Sequence, residues 1–159
     1  MNKFKLDEID HQILDLLIDN TRTAFTDIAK KLLISAGTVH VRVKKMEDAG
    51  IIKGSSLTLD YKKLGYTFIA YIGIFLEKTH QTKFVLKNLE AVPFVTVAHI
   101  TTGKFNIFCK VRANSTDHAK QIIFDIDDIE GVSRTETMIS LEESINDKKR
   151  LMHRIFNEL

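Results

Sequence analysis

The 159-residue chain contains a single cysteine, Cys109. One thiol cannot close an internal disulfide, and its use fits a reducing compartment. No apolar run approaches the roughly 20 residues needed to span a bilayer. The stretch from Met1 to Glu8 reaches an acidic residue at Asp7 without an apolar segment, so no secretory signal is legible. These absences predict a cytoplasmic protein with no membrane partner. A glycine-rich phosphate loop is also missing. The histidines, His11, His40, His80, His99, His118 and His153, show no i,i+4 pairing and no adjoining cysteine. No metal site, cofactor or catalytic cluster is therefore expected. Cys109 falls in an alternating strand pattern and reads as a small core residue, not a nucleophile.

What is present is ordinary in bulk: 44% hydrophobic and 28% charged residues, with a net charge of +2. That composition belongs to a globular chain. Charge becomes informative when divided. Residues 1–27 hold three basic and six acidic side chains, whereas residues 28–54 hold six basic and two acidic. A basic segment after an acidic one suggests an anion-binding face on a small N-terminal unit, the bland alternative being a solvated helix surface.

The first 50 residues carry three helical patterns. Asp7 can cap a helix with Ile9, Ile13, Leu14, Leu16 and Leu17 at 3.6-residue spacing. Thr26 is a second cap candidate, before Ile28, Ala29 and Leu32. Ser35 is a third, opening a helix from Ala36 to Ala49 that Gly50 can end with positive φ. A short helix, a tight turn and a longer helix make a helix-turn-helix pattern. Ile51–Gly54 and Leu57–Leu59 read as short strand and linker.

Beyond the linker the signals run Phe68–Leu76 strand, Thr82–Ala91 helix, Phe94–Thr101 and Phe105–Val111 strands, a helix from Ser115 to Ile129, and a strand over Val132–Leu141. Gly103 suits a hairpin between the middle strands, and Gly131 ends the second helix. This β-α-β-β-α-β order is the ferredoxin-like split unit. The tail places Leu151, Met152, Ile155, Phe156 and Leu159 on one helix face, with packing on the sheet domain as the default expectation. Oligomer contact and DNA contact are its alternatives. The expected fold is thus α+β: a helix-turn-helix domain over 1–53, a linker over 54–66, and a βαββαβ domain with the C-terminal helix over 67–159.

The first strand is apolar on both sides: Phe68, Ala70, Ile72, Ile74 and Leu76 on one, Ile69, Tyr71 and Phe75 on the other. Two helices cover only one face of such a sheet, so the other needs a second surface, a symmetric partner subunit or a folded-back C-terminal helix. In the third helix, Val39, Val43 and Met46 form the buried stripe. Gly37, Thr38, Val41, Lys44 and Lys45 lie opposite, with His40 at the edge. Thr38 and His40 can hydrogen-bond base edges, Val41 can touch a thymine methyl, and the lysines can neutralise phosphates. Ser35 and the free N–H groups at the helix start can take a phosphate. Arg42 projects near the buried stripe, where an ion pair with an acid such as Asp10 competes with DNA contact. Glu47 and Asp48 would repel phosphate, so contact should favour the helix's first half.

The stretches Leu6–Asp10, Ile13-Leu14, Asn20–Thr23 and Asp27–Ala29 resemble the opening of the Lrp/AsnC (feast/famine) transcription regulators, and Ser35–Ile52 is similar to the AsnC branch. Thr101–Phe108 and Ser133–Thr137 resemble that branch's ligand-domain motifs. The likeness extends over about residues 5–142. It implies a winged helix-turn-helix and a ligand-binding (RAM) domain of βαββαβ type, dimers through the sheet domain, assembly into octamers, double-stranded DNA as partner and an amino acid effector bound between dimers. The loop Thr101, Thr102, Gly103, Lys104, Phe105 and Asn106 would surround the effector's α-amino and carboxylate groups, with Thr135 and Thr137 supplied by a neighbouring subunit. By residues alone, Thr102-Gly103 reads as a hairpin turn. Many members carry an acid where this chain has neutral Asn106, whose amide would suit a ligand such as asparagine. Some similar folds are sirohaem decarboxylases, which is the enzyme alternative, with His99 and Arg134 or Arg112 as the residues it would use. The other is an amino acid sensor without DNA binding.

Overall fold

The structure, a computed structural model, describes residues 5–157; Leu159, placed above on the last helix, lies outside them. The chain divides into two compact units, residues 1–58 with 145–159, and residues 59–144.

In the first unit, α1 (Glu8–Asp19) starts at Asp7, whose side chain accepts from the Asp10 N–H while Asp10 returns the bond to the Asp7 N–H, a reciprocal capping box. The second helix, α2 (Phe25–Leu32), begins earlier than Thr26 predicts. Ala24 holds the cap position with no side-chain bond, and the N–H groups of Asp27 and Ile28 close onto its carbonyl. Packing fixes this start instead of a cap, since Ile28 and Ala29 are buried beside Ile13. Leu33 then turns the chain in the left-handed region, φ 55°. Ser35 caps α3 (Ala36–Asp48) by accepting from Thr38 N–H at 3.0 Å, and Gly50 follows with φ 70°. Val39, Val43 and Met46 are buried as the projection requires. Ile51–Leu59 forms no strand: an extended segment needs a neighbouring strand to satisfy its ladder, and no strand pairing reaches it among the described residues.

The tail corrects the expectation that 145–159 belongs with the sheet domain. Its helix, α6 (Arg150–Asn157), packs on α1, where Phe156 stacks on His11 with ring centroids 4.1 Å apart. The reason is charge as well as shape: Lys149 and His153 meet Asp15 and Asp19 on the acidic face of α1.

The second unit contains β1 (Phe68–Leu76), a 3₁₀ turn, α4 (Thr82–Leu89), β2 (Val95–Ile100), β3 (Ile107–Ala113), α5 (Thr116–Asp127) and β4 (Val132–Ile139). The strands form one antiparallel sheet in the order β2-β3-β1-β4. Ala70, Ile72 and Ile74 of β1, with Ile107, Cys109 and Val111 of β3, pack under Val85, Leu89, Ile122 and Ile126 of the two helices. Burial in this core pushes the Cys109 thiol up to about 11, consistent with an unreactive packing residue.

The other face carries Ile69, Tyr71, Gly73 and Phe75. Tyr71 stacks on Phe108 at 5.7 Å, Phe108 lies 5.8 Å from Phe105, and Phe105 meets Phe75 edge-on at 5.2 Å. A Cβ on Gly73 would stand 2.4 Å from the Phe105 ring, so the missing side chain is what lets that ring lie on the strand.

Candidate DNA-reading and effector surfaces

Ser35, Gly37, Thr38, His40, Val41, Lys44 and Lys45 are all exposed. Ser35, Gly37, Thr38, Val41 and Lys45 line one open depression of about 590 Å³, together with Asp7 and Arg42. The Ser35 and Thr38 hydroxyls are 2.8 Å apart, so each holds the other at the helix start. Lys44 reaches Asp48 at 3.3 Å, an exposed i,i+4 pair that water and salt weaken. His40 lies on the helix edge with its ring 6.1 Å from that of Phe25.

Arg42 takes the structural option. Its Nη1 donates to Asp7 Oδ2 at 2.7 Å and to Asp10 Oδ1 at 2.8 Å, pinning α3 to the start of α1. The Asp7 carboxyl sits below its ordinary value, first because it accepts from the Asp10 backbone N–H and then because of the Arg42 guanidinium.

In the sheet unit, the Thr101–Asn106 loop is closed by its own bonds. Thr101 N–H donates to the Asn106 carbonyl, and Thr101 Oγ1 to the Phe105 carbonyl at 2.7 Å. Gly103 has φ 106°, with open space where a side chain would stand. Asn106 is committed at both ends: its N–H donates to Ile74 O, and its Oδ1 accepts from Leu76 N–H at 3.0 Å. Its amide NH₂ is then the end with donors to offer a ligand.

The structure does not bring all the predicted effector residues together. Thr135 is opposite Ile74 and Thr137 opposite Ile72, on the helix-covered side at the sheet's edge. Phe105 lies on the open side. Lys104 also reaches the open side, pairing with Glu136, which holds Arg134 at 2.9 Å; the Arg134 guanidinium sits 3.7 Å from the Phe75 ring centroid. The Glu136 carboxyl is lowered by these bonds, Lys104 first. From sequence, Arg134 figured only in the enzyme alternative and in the Ser133–Thr137 motif, Glu136 only in that motif, and Gly73 not at all. The detectable signal was a glycine inside an otherwise apolar strand; the ion triad depends on register.

A helix-turn-helix whose α3 exposes a polar face, followed by a βαββαβ domain, defines a transcription regulator of the two-domain, ligand-responsive class. The winged helix-turn-helix DNA-binding family model matches residues 6–53, and that of the Lrp/AsnC ligand binding domain matches residues 69–149. The chain is 39% identical over 146 residues to the regulatory protein AsnC of Escherichia coli K12, covering 91% of this chain and 96% of that one. The solved structure of E. coli AsnC superposes with a TM-score of 0.87 at 38% identity, over 91% and 98% of the two chains. A Neisseria meningitidis regulator solved with L-Met shares the fold, with a TM-score of 0.80 at 21% identity, over 91% and 95% of the chains. This chain belongs to the Lrp/AsnC family. It is a DNA-binding transcription regulator with an amino acid-binding domain, and its curated relatives are named as regulators, not enzymes. No helix among the described residues is long and apolar enough to cross a membrane.

Proposed function

We propose that the protein reads a specific operator through the first half of α3 and changes its assembly when an amino acid binds the sheet domain. Ser35 and the helix N-terminus meet a phosphate, Gly37 lets the backbone approach, and Thr38, His40 and Val41 meet base edges. Lys44 and Lys45 neutralise phosphates. The observation that carries this reading is the joint exposure of these residues on the helix opposite its buried stripe.

The effector sits at the Thr101, Thr102, Gly103, Lys104, Phe105 and Asn106 loop, with Thr135 and Thr137 coming from a neighbouring copy. Their position across the sheet from Phe105 supports a second copy as their source. Asparagine is the first effector to test. With Asn106 Oδ1 held by Leu76 N–H, the remaining donors suit a carbonyl or carboxylate oxygen better than an ammonium. The L-Met complex of the Neisseria regulator supports the ligand class. The open aromatic face of the sheet joins copies into homodimers, which assemble to octamers in the cytoplasm.

Two measurements test this. Thermal shift against the twenty amino acids should stabilise the protein by about 2.7 kcal/mol at one hundred times the dissociation constant of the true effector. No shift with any of them removes the effector reading. Gly37→Ala should leave the fold intact or stabilise α3, since its Cβ would meet only Ser35 Oγ at an ordinary 3.7 Å. It should nevertheless weaken operator binding. Undiminished binding would refute close approach at Gly37.

A further inference from the structure

The Lrp/AsnC ligand-domain match ends at residue 149, and α6 begins at Arg150. This extra helix is docked with specific chemistry. Lys149 Nζ lies 3.0 Å from Asp15 Oδ1 and 2.6 Å from Asp19 Oδ2; His153 Nε2 lies 2.7 Å from Asp15 Oδ1. Phe156 and His11 stack nearly parallel, 9° apart, and the His11 Nε2 is buried without a hydrogen-bond partner. The Asp15 carboxyl is held low by the His153 bond first and the Lys149 bond next.

The tail is fastened at its other end as well. Ser140 N–H donates to Ile69 O at 2.9 Å, and Glu143 pairs with Lys110 at 3.8 Å. Lys110 also lies 5.7 Å from the Tyr71 ring, on the open face of the sheet. Asp147 then starts the helix, its Oδ1 accepting from the N–H groups of Lys149 and Arg150. Only residues 144–146 separate the sheet-bound Glu143 from the helix-starting Asp147. Fully extended, that span reaches about 14 Å.

We propose that α6 is a strap that transmits the state of the sheet's open face to the DNA-reading unit, by holding α1 at the end of a short tether anchored at Lys110–Glu143. The inference rests on the proposed effector reading and gives it a route. A change at the open face that moves Glu143 pulls on the docked helix, and α1 carries Asp10, which Arg42 of α3 holds. For coupling, docking must differ in strength between the two states of the sheet domain.

The test uses the full chain. Lys149→Glu puts a third acid against Asp15 and Asp19, and Phe156→Ala removes the stack. Both changes are at a part-exposed surface, so folding should survive. Hydrogen exchange should show α1 amides opening about three- to tenfold faster in both variants, with α4 and α5 unchanged. The fold-change in operator affinity caused by L-asparagine, or by whichever of the twenty amino acids shifts the wild type, should shrink towards one. The amino acid's own thermal shift should persist. Unchanged α1 exchange would show that α6 does not dock in solution. Faster exchange with an intact response would show a helix that docks without transmitting. Either result overturns the strap. A wild type that responds to no amino acid defeats the effector reading itself, and this is seen before any variant is made.

Discussion

Arg42 bridges two carboxylates of very different exposure: the Asp7 side chain is 55% exposed and that of Asp10 8%. Removing the guanidinium leaves the Asp10 oxygen without its cation inside the helical unit. Arg42→Ala should cost about 2 kcal/mol, measured by urea denaturation followed in the far ultraviolet. A loss below the error of that melt would make the bridge a surface pair. The pH dependence follows from Asp7. Its folded carboxyl titrates below the ordinary 3.8, so its contribution is complete above that value and is lost as pH falls through the folded one. The substitution should therefore raise the acid midpoint of unfolding. Arg42 was half legible: the helical projection placed it near the core and named Asp10, but Asp7 as the second partner needed the capping box in three dimensions. Leu33 was not legible at all, because a left-handed helix end is announced by glycine or asparagine, and here a leucine 92% exposed occupies it.

At the scale of elements, β1 has its predicted bounds because its apolar run is local and stops at the polar Glu77-Lys78; only its register, with both faces apolar, is left to the pairing with β3 and β4. The start of α2 was missed for the opposite reason: tertiary packing set it, and Thr26 offered a cap that the backbone did not use. The loop candidates were legible as a glycine hairpin, but their division between the two faces of the sheet was not, because it depends on which residue of β4 stands opposite Ile74. Gly73 is the point where strand and loop depend on each other. Gly73→Ala drives a methyl into the Phe105 ring at 2.4 Å, and the three nearest atoms all belong to that ring, so the ring must move. The expected result is an intact helix-covered core with a displaced 101–106 loop. The melting temperature should fall modestly, and the shift given by the effector amino acid should drop at least several-fold. An unchanged ligand shift would detach Phe105 from the effector site.

Over the whole molecule, the question is what covers the open face. The folded-back helix was one candidate, and α6 is instead engaged with α1 through His11, Asp15 and Asp19. What remains is a face on which Tyr71, Phe75, Phe105 and Phe108 stack on one another beneath Lys104, Lys110 and Arg134. Aromatic and arginine-rich patches of this kind are where protein interfaces concentrate their energy. Phe108→Asp puts a charge at the centre of that face without touching the core, since Ile107 and Cys109 point to the helices. The variant should keep its far-ultraviolet spectrum and sediment as a monomer where the wild type sediments as a dimer or larger. Two helix-turn-helix units joined in a dimer would meet half-sites about 34 Å apart. Unlinking them replaces one two-point attachment by two weak ones, so operator affinity should fall by about a hundredfold or more, while affinity for an isolated half-site stays the same. A wild type that sediments as a monomer, or a Phe108→Asp protein that keeps full operator affinity, would place the dimer contact elsewhere. Equal losses on operator and half-site would instead trace the effect to damage within the DNA-reading unit.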